Sequence, residues 1–437
     1  MTIAVLFISF FALMLIGVPI AVSLGASTLF TMVFATNLPL GSIITQAFTS
    51  LDSFSLLAIP LFILAGVLMS QGGVSKRLLR LADVLVGYLV GGLAHGTILA
   101  SMFFAAISGS GPATVAAIGS FMIPSMANKG YDKSFAAAVT ATAGSIGVII
   151  PPSIPFIMFG IVGGVSIGGL FLAGIIPGIL IGLGLMIPTY IIGLALRIVS
   201  YGIAKKRDFP TEGKFPTFME VLKAINYAKW ALLIPVIILG GIYSGFFSPT
   251  ESAAVACIYS LIIGLFVYKE LNVRKLYDAF LEATLLTIPV NIIISFSISF
   301  AYLLSIERIP ATIAQFITGI SENMIITMLI ISAFLLVVGM FIDTISSVVI
   351  LTPILLPVVE AVGMDPIHFG VFMVCNLAVG YVTPPLGVNL FVASHISKVS
   401  IEKISRALIP FIIAMIVVII ILILIPQLTL FIPNFAL

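Results

Sequence analysis

Long apolar runs constrain this chain more than any other feature of its sequence. Leu170 to Leu196 and Ile409 to Ile425 are stretches of the length that crosses a bilayer, about 17–25 residues. Only 8% of the 437 residues are charged and 61% are hydrophobic, against about 25% charged in a soluble domain. Too little polar surface remains to cover a soluble fold of this size, so the chain is a polytopic membrane protein. The first apolar segment, Ile3 to Phe34, lacks a basic n-region and an A-x-A site and reads as a retained first helix. Cys257 and Cys375 lie inside apolar runs and read as small core residues.

Several function classes are absent from the sequence. There is no G-x-x-x-x-G-K-[ST], so the chain does not hydrolyse ATP through a P-loop. No Cys or His carries metal-ligand spacing, and no nucleophile has a recognisable base, so an enzyme is not expected. His95 and His368 are isolated and read as packing or loop residues. Transport driven by an ion gradient is the remaining class that suits such a chain.

An internal repeat then organises the chain. Pro124, Gly130, Gly147, Pro151, Pro152 and Pro177 each have an identical residue 233 positions later: Pro357, Gly363, Gly380, Pro384, Pro385 and Pro410. A shorter echo, Leu57-Ala-Ile-Pro60 against Leu286-Thr-Ile-Pro289, extends the duplication upstream. Charge sets the relative orientation, because Lys and Arg concentrate in cytoplasmic loops. Lys76, Arg77 and Arg80 follow the Pro60 helix, whereas Lys269, Arg274 and Lys275 precede the Pro289 helix. Asn128-Lys-Gly-Tyr-Asp-Lys133 is basic and its counterpart Glu360-Ala-Val-Gly-Met-Asp365 is acidic. Equivalent loops therefore face opposite sides, as in an inverted-topology repeat.

The expected domains are a first inverted repeat at 1–196, a basic cytoplasmic connector at 197–230 and a second repeat at 231–437. The connector holds Arg197, Lys205, Lys206, Arg207, Lys214, Lys223 and Lys229. A positive-inside loop explains it better than a nucleic-acid or anionic-lipid site, and no nucleic-acid partner is expected. Sidedness further predicts a re-entrant hairpin from arms Val86–Ile107 and Thr114–Ala127, with its tip at Ser108-Gly-Ser-Gly-Pro-Ala-Thr114. Arms Met324–Ile342 and Ser347–Val359 predict a second hairpin from the other side, with its tip at Asp343-Thr-Ile-Ser-Ser347. A helix broken by Pro-Pro follows each, near 144–153 and near 380–387. The sum is about nine spans plus two hairpins, N-terminus cytoplasmic and C-terminus periplasmic.

Unwound backbone at membrane depth exposes carbonyl oxygens and half-helix ends, which suit cations and anions respectively. The first tip offers Ser108 and Ser110, facing carbonyls near Gly147, Ile150 and Pro152. The second offers Asp343 and Thr344, with Gly380, Thr383 and Pro385 as the counterparts of that loop. Close helix packing is the alternative use of such Ser, Gly and Pro residues. Asp343, an ionisable residue between two apolar runs, reads as a cation ligand or proton site, with a hydrogen-bonded structural acid as the alternative. Arg308 makes either an interfacial ion pair with Glu307 or a contact to a substrate carboxylate. Ser153, Ser346 and Ser347 are the other substrate-binding candidates. Glu251, in Ser248-Pro-Thr-Glu-Ser252, reads as a helix-start acid.

The run Pro60-Leu-Phe-Ile-Leu-Ala-Gly66, Ser108 to Thr114, Pro124, Gly130-Tyr131 and Ile150-Pro-Pro-Ser153 resembles the large membrane subunit of the tripartite ATP-independent periplasmic (TRAP) transporters, the DctM type. Ser248-Pro-Thr-Glu251, Asp365-Pro-Ile-His-Phe-Gly370 and Thr383-Pro-Pro-Leu-Gly387 extend the resemblance over the chain. It implies an elevator-type, all-α transporter in the inner membrane, coupled to Na⁺ at about two sites, one per hairpin. The first site is then Ser108, Ser110, Gly147, Ile150 and Pro152. The mirrored one, resting partly on the 233-residue offset, is Asp343, Thr344, Gly380, Thr383 and Pro385. Two protein partners are implied: a small Q-type membrane subunit, expected here as a separate chain, and a periplasmic substrate-binding protein. The cargo implied is an organic acid such as a sialic acid or a C4-dicarboxylate, and one cavity Arg tilts the choice toward the sialic acid group. A stand-alone sodium/dicarboxylate or sodium/proton transporter is the alternative, and a channel or scaffold a further one.

Overall fold

The structure is a computed structural model that describes residues 2–203, 215–312, 323–385 and 387–436, with the backbone alone at 193 and 195–203. Every regular element among the described residues is helical. In hydrocarbon each backbone polar group must be satisfied within its own segment, which leaves helices for a chain of this composition. Eight helices among the described residues are long and apolar enough to cross a membrane.

One expectation fails at the start of the chain. The segment Ile3 to Phe34 is not a single helix but two, Thr2–Leu15 and Ile20–Ala35. Gly17 takes a left-handed φ of 86° and Pro19 caps the second helix, which turns the chain back. The two helices pack together, and Thr2 Oγ1 donates to the Ala35 carbonyl at 3.3 Å. Residue 2 therefore lies at the same end of the molecule as residue 35. A cytoplasmic N-terminus rested on one span and loses that basis.

The 233-residue offset survives as geometry. Gly111–Asn128 is matched by Thr344–Ala361, and Lys133 and Pro366 open the next helices at the same spacing. Asp132 and Asp365 cap those helices with their carboxylates, and Gly130 and Gly363 are left-handed at φ 88° and 81°. The broken helices stop at Ser145 and Gly380 and resume at Ile154 and Val388, with Pro151-Pro152 and Pro384-Pro385 in the gaps. Isolated prolines behave differently: Pro124, Pro177 and Pro357 stay inside their helices.

Contact registers give the relative direction of the hairpins. Gly111 lies against Asn389, and Gly119 lies against Ile396, so the helix 111–128 runs parallel to Val388–Ser397. Tyr381 lies beside Thr344, and Thr352 reaches Met373, so the helix 344–361 runs antiparallel to Pro366–Gly380. The incoming arm Gly92–Ser108 and the helix Ile154–Gly163 both run antiparallel to 167–203, with Gly91 by Thr189 and Gly182 by Met102, and Gly160 by Ile167 and Gly174 by Phe156. The helix 344–361 runs parallel to Ile154–Gly163, since Gly163 lies against Thr352 and Leu356 while Ile154 and Ile345 line one cavity. It follows that 111–128 and 344–361 point opposite ways, as an inverted repeat requires. Each hairpin also packs on the far half of the other repeat's broken helix: 111–128 on Val388–Ser397, and 344–361 on Ile154–Gly163.

Against this unit stands a pair of crossing helices, Ala58–Gln71 and Val273–Ile306, packed on Pro249–Ile262 and Ile20–Ala35 respectively. The connector is helical at both flanks, in 167–203 and in Phe218–Tyr243, while Lys205, Lys206, Arg207 and Lys214 lie outside the described residues.

Candidate functional site

Both tips are tighter than expected. The helix Gly92–Ser108 ends on Gly109, left-handed at φ 61°, and Ser110 in extended backbone caps the helix that begins at Gly111. Ser108 Oγ and Thr114 Oγ1 are hydrogen-bonded at 2.8 Å, and Thr114 Oγ1 donates to the Ser110 carbonyl, also at 2.8 Å. Thr114 is thus part of this tip, although it was anticipated only as its boundary. Gly147 packs so closely that a Cβ there would meet Thr114 Oγ1 at 2.5 Å and the Ser110 carbonyl at 2.6 Å. The Ile154 amide donates to the Gly109 carbonyl at 3.4 Å, and the Pro152 carbonyl also faces Gly109. The Ile150 side chain packs on Gly178.

The second tip is a turn at Ile342 and Asp343 between Met324–Phe341 and Thr344–Ala361. Asp343 caps the second helix, its Oδ2 accepting from the Ser346 amide at 3.0 Å. The hydroxyls of Thr344, Ser346 and Ser347 are buried and lack a hydrogen-bond partner among the described residues. Leaving buried hydroxyls unpaired costs about 1–3 kcal/mol each, so this cluster has the chemistry of an oxygen cage that a cation completes. Gly380 lies against Gly339 of the incoming arm, where a Cβ would run into its backbone. Thr383 Oγ1 donates to the Val379 carbonyl at 2.8 Å, and Pro385 is exposed. The structure thus brings Asp343, Thr344, Ser346 and Ser347 together and leaves Pro385 at the rim.

Between the tips and the crossing helices lies a cavity of about 430 Å³. Ser70, Ser75, Ser108, Ser110, Ser120, Glu282, Asp343 and Tyr381 are the polar residues of its lining. Pro112, Ile154, Ile345 and Val388, also in the lining, are the first or second residues of four different helices. Four positive dipole ends therefore converge on one space, an arrangement that favours an anion. No Lys, Arg or His lines it among the described residues.

The remaining candidates fall elsewhere. Ser153 is buried with its hydroxyl committed, donating to the Val148 carbonyl at 2.5 Å and accepting from the Phe156 amide at 3.3 Å. Arg308 is exposed at φ 53° and does not line the cavity, so it is withdrawn as the cavity arginine. Sequence reasoning also missed Tyr381 and Asn389. Asn389 Nδ2 donates to the Ala141 carbonyl at 3.1 Å and to Ser145 Oγ at 3.2 Å, tying the second broken helix to the first. A lone amide just past the second Pro-Pro was the available signal.

The chain matches the family model described as "Tripartite ATP-independent periplasmic transporter, DctM component" over residues 7–428. It is 48% identical over 427 residues to the isethionate TRAP transporter permease protein DctMQ of Oleidesulfovibrio alaskensis, covering 98% of this chain and 66% of that relative. It is 39% identical over 455 residues to the C4-dicarboxylate TRAP transporter large permease protein DctM of Vibrio cholerae, covering 99% and 98%. The crystal structure of the Alcanivorax borkumensis YdaH transporter superposes with a TM-score of 0.64 at 14% identity, covering 96% and 97%, a likeness of fold alone. A transporter permease rather than an enzyme is what this ancestry supports. The chain belongs to the DctM component family of the tripartite ATP-independent periplasmic transporters.

Proposed function

We propose that this chain is the translocating subunit of a sodium-driven, binding-protein-dependent importer of a small organic anion in the bacterial inner membrane. The convergence of four helix N-termini beside an oxygen-rich hairpin tip carries this reading. The N-termini receive the anion, and the hydroxyls and carboxylate at the tips hold the cation that accompanies it. The second tip fits a cation better than the first. It adds the Asp343 carboxylate to three buried hydroxyls, whereas the first tip has hydroxyls alone, and Ser108 and Thr114 already satisfy each other. The two sodium sites are therefore unequal in this reading.

Transport proceeds by an elevator motion of the hairpin unit against the crossing helices. Ser70, Ser75 and Glu282 of the lining adjoin the basic segments at Lys76–Arg80 and Lys269–Lys275, the cytoplasmic side under the positive-inside rule. The same rule puts residue 2 on the periplasmic side, because residues 36–53 beside it hold no Lys or Arg. The partners are a small permease subunit and a periplasmic binding protein. The relatives carry isethionate and C4-dicarboxylates, and a sialic acid loses the support that a cavity arginine lent it.

Sodium dependence of thermal unfolding tests the reading on the purified chain. NaCl raises the unfolding temperature relative to equimolar KCl, and Asp343→Asn removes the difference. Equal stabilisation by both salts, in the wild-type chain, would refute the sodium site.

A further inference from the structure

The helix Val273–Ile306 carries a polar stripe on one face: Thr284, Thr287, Asn291, Ser295 and Ser299, spaced by three or four residues. Part of this stripe already fastens a helix. Ser295 Oγ donates to the Ala47 carbonyl at 2.8 Å, and Ser299 Oγ donates to the Ile43 carbonyl at 3.2 Å, both in Gly41–Thr49. The remainder faces a groove shared with the helix Ala58–Gln71. Thr284, Thr287 and Asn291 line this groove of about 350 Å³, walled by Pro60, Leu61 and Leu64 on one side and Phe280 and Ile288 on the other. Thr284 and Thr287 donate back to their own helix, at 2.8 Å each, and keep acceptor lone pairs toward the groove. Asn291, midway along an apolar spanning helix, makes no side-chain hydrogen bond among the described residues. An amide on a lipid-facing surface is unfavourable unless another helix supplies its partners.

The groove lies on a different face from the transport cavity. Leu286 and Val290 of the same helix line the cavity, and Asn291 is turned about 100° away from Val290. An occupant here stays clear of the cargo. The isethionate relative, of which this chain spans 66%, carries additional permease sequence within one polypeptide.

We infer that the groove between Pro60–Leu64 and Phe280–Asn291 docks a transmembrane helix of the small permease subunit, with Asn291 bonding to that helix's backbone or to a hydroxyl or amide on it. This rests on the tripartite reading above. The test uses this chain co-expressed with the small permease subunit, with p-benzoylphenylalanine placed at Thr284, at Asn291 or, as a control, at Ile187 on the exposed face of 167–203. Illumination is expected to link the small subunit from Thr284 and Asn291 and not from Ile187. Links from Ile187 alone, links only to a second copy of this chain, or no protein link at all overturn the inference. Asn291→Leu is expected to lower co-purified small subunit about three- to tenfold, the yield of one interhelical hydrogen bond, while Asn291→Gln restores it. Unchanged co-purification by Asn291→Leu also counts against the site. Failure of the wild-type chain to co-purify with the small subunit removes the tripartite reading itself, and this docking site with it.

Discussion

Asp343 occupies a position where a carboxylate is costly, between two apolar arms and in the lining of a cavity. Its Oδ2 accepts from the Ser346 amide at 3.0 Å, and the hydroxyls of Thr344, Ser346 and Ser347 are buried nearby. Under the proposed function, a cation would engage all four groups together. Asp343→Ala is therefore expected to lower sodium-dependent uptake roughly ten- to hundredfold, the factor equivalent to about 1.5–3 kcal/mol for a charged acceptor. Expression close to wild type, by blotting of membranes, separates this from misfolding. Gly380 tests packing at the same tip. A methyl group at 380 meets the Gly339 backbone, so Gly380→Ala is expected to cost about 1–3 kcal/mol and lower the unfolding temperature. Gly96→Ala, where a Cβ meets nothing within 4 Å, is expected to leave it unchanged. Asp343 was legible because charge is scarce in this sequence and the repeat aligns it with Ser110, the other tip's cap. Arg308 was misread because its place near a span's end does not reveal which way the chain turns there, and its left-handed backbone leaves it exposed.

At the scale of elements, the helix Val74–Val86 links the crossing helices to the first hairpin and is held by one arginine. Arg77 donates to the Gly73 carbonyl and to Glu270 Oε1, each at 2.7 Å, and stacks 3.5 Å over the Tyr268 ring. With the Arg77 side chain 11% exposed, little water competes for the guanidinium, although Glu270 is more open at 35%. Arg77→Ala is expected to cost about 1–3 kcal/mol, seen as a lower unfolding temperature, and Arg77→Lys to recover only part, because an ammonium lacks the planar fork. Some elements were readable from local rules. Ser248 and Glu251 form the expected capping box, with Glu251 Oε2 accepting from the Ser248 amide at 2.7 Å. The opening segment was not, because its apolar run is continuous and only Gly17 and Pro19 mark the reversal. A positive φ at one glycine decides that reversal, and composition does not encode it.

For the whole molecule, the duplication and the opposed charge of its loops made inversion readable before any coordinates. What stayed hidden was the exchange: each hairpin leans on the other repeat's broken helix, through contacts such as Gly119 with Ile396. Such pairings join residues far apart in the chain and leave no local pattern. They also explain why both tips and four helix starts open on a single cavity. Under the proposed function, such a unit would move loaded with both anion and cation or with neither, which is coupled transport. The most direct measurement is uptake of a radiolabelled organic anion into proteoliposomes holding this chain with its small subunit, with binding protein outside. Accumulation above the external concentration under an inward Na⁺ gradient, abolished when K⁺ replaces Na⁺ or when the binding protein is omitted, is the predicted result. Equal accumulation in K⁺, or full accumulation without the binding protein, would contradict it.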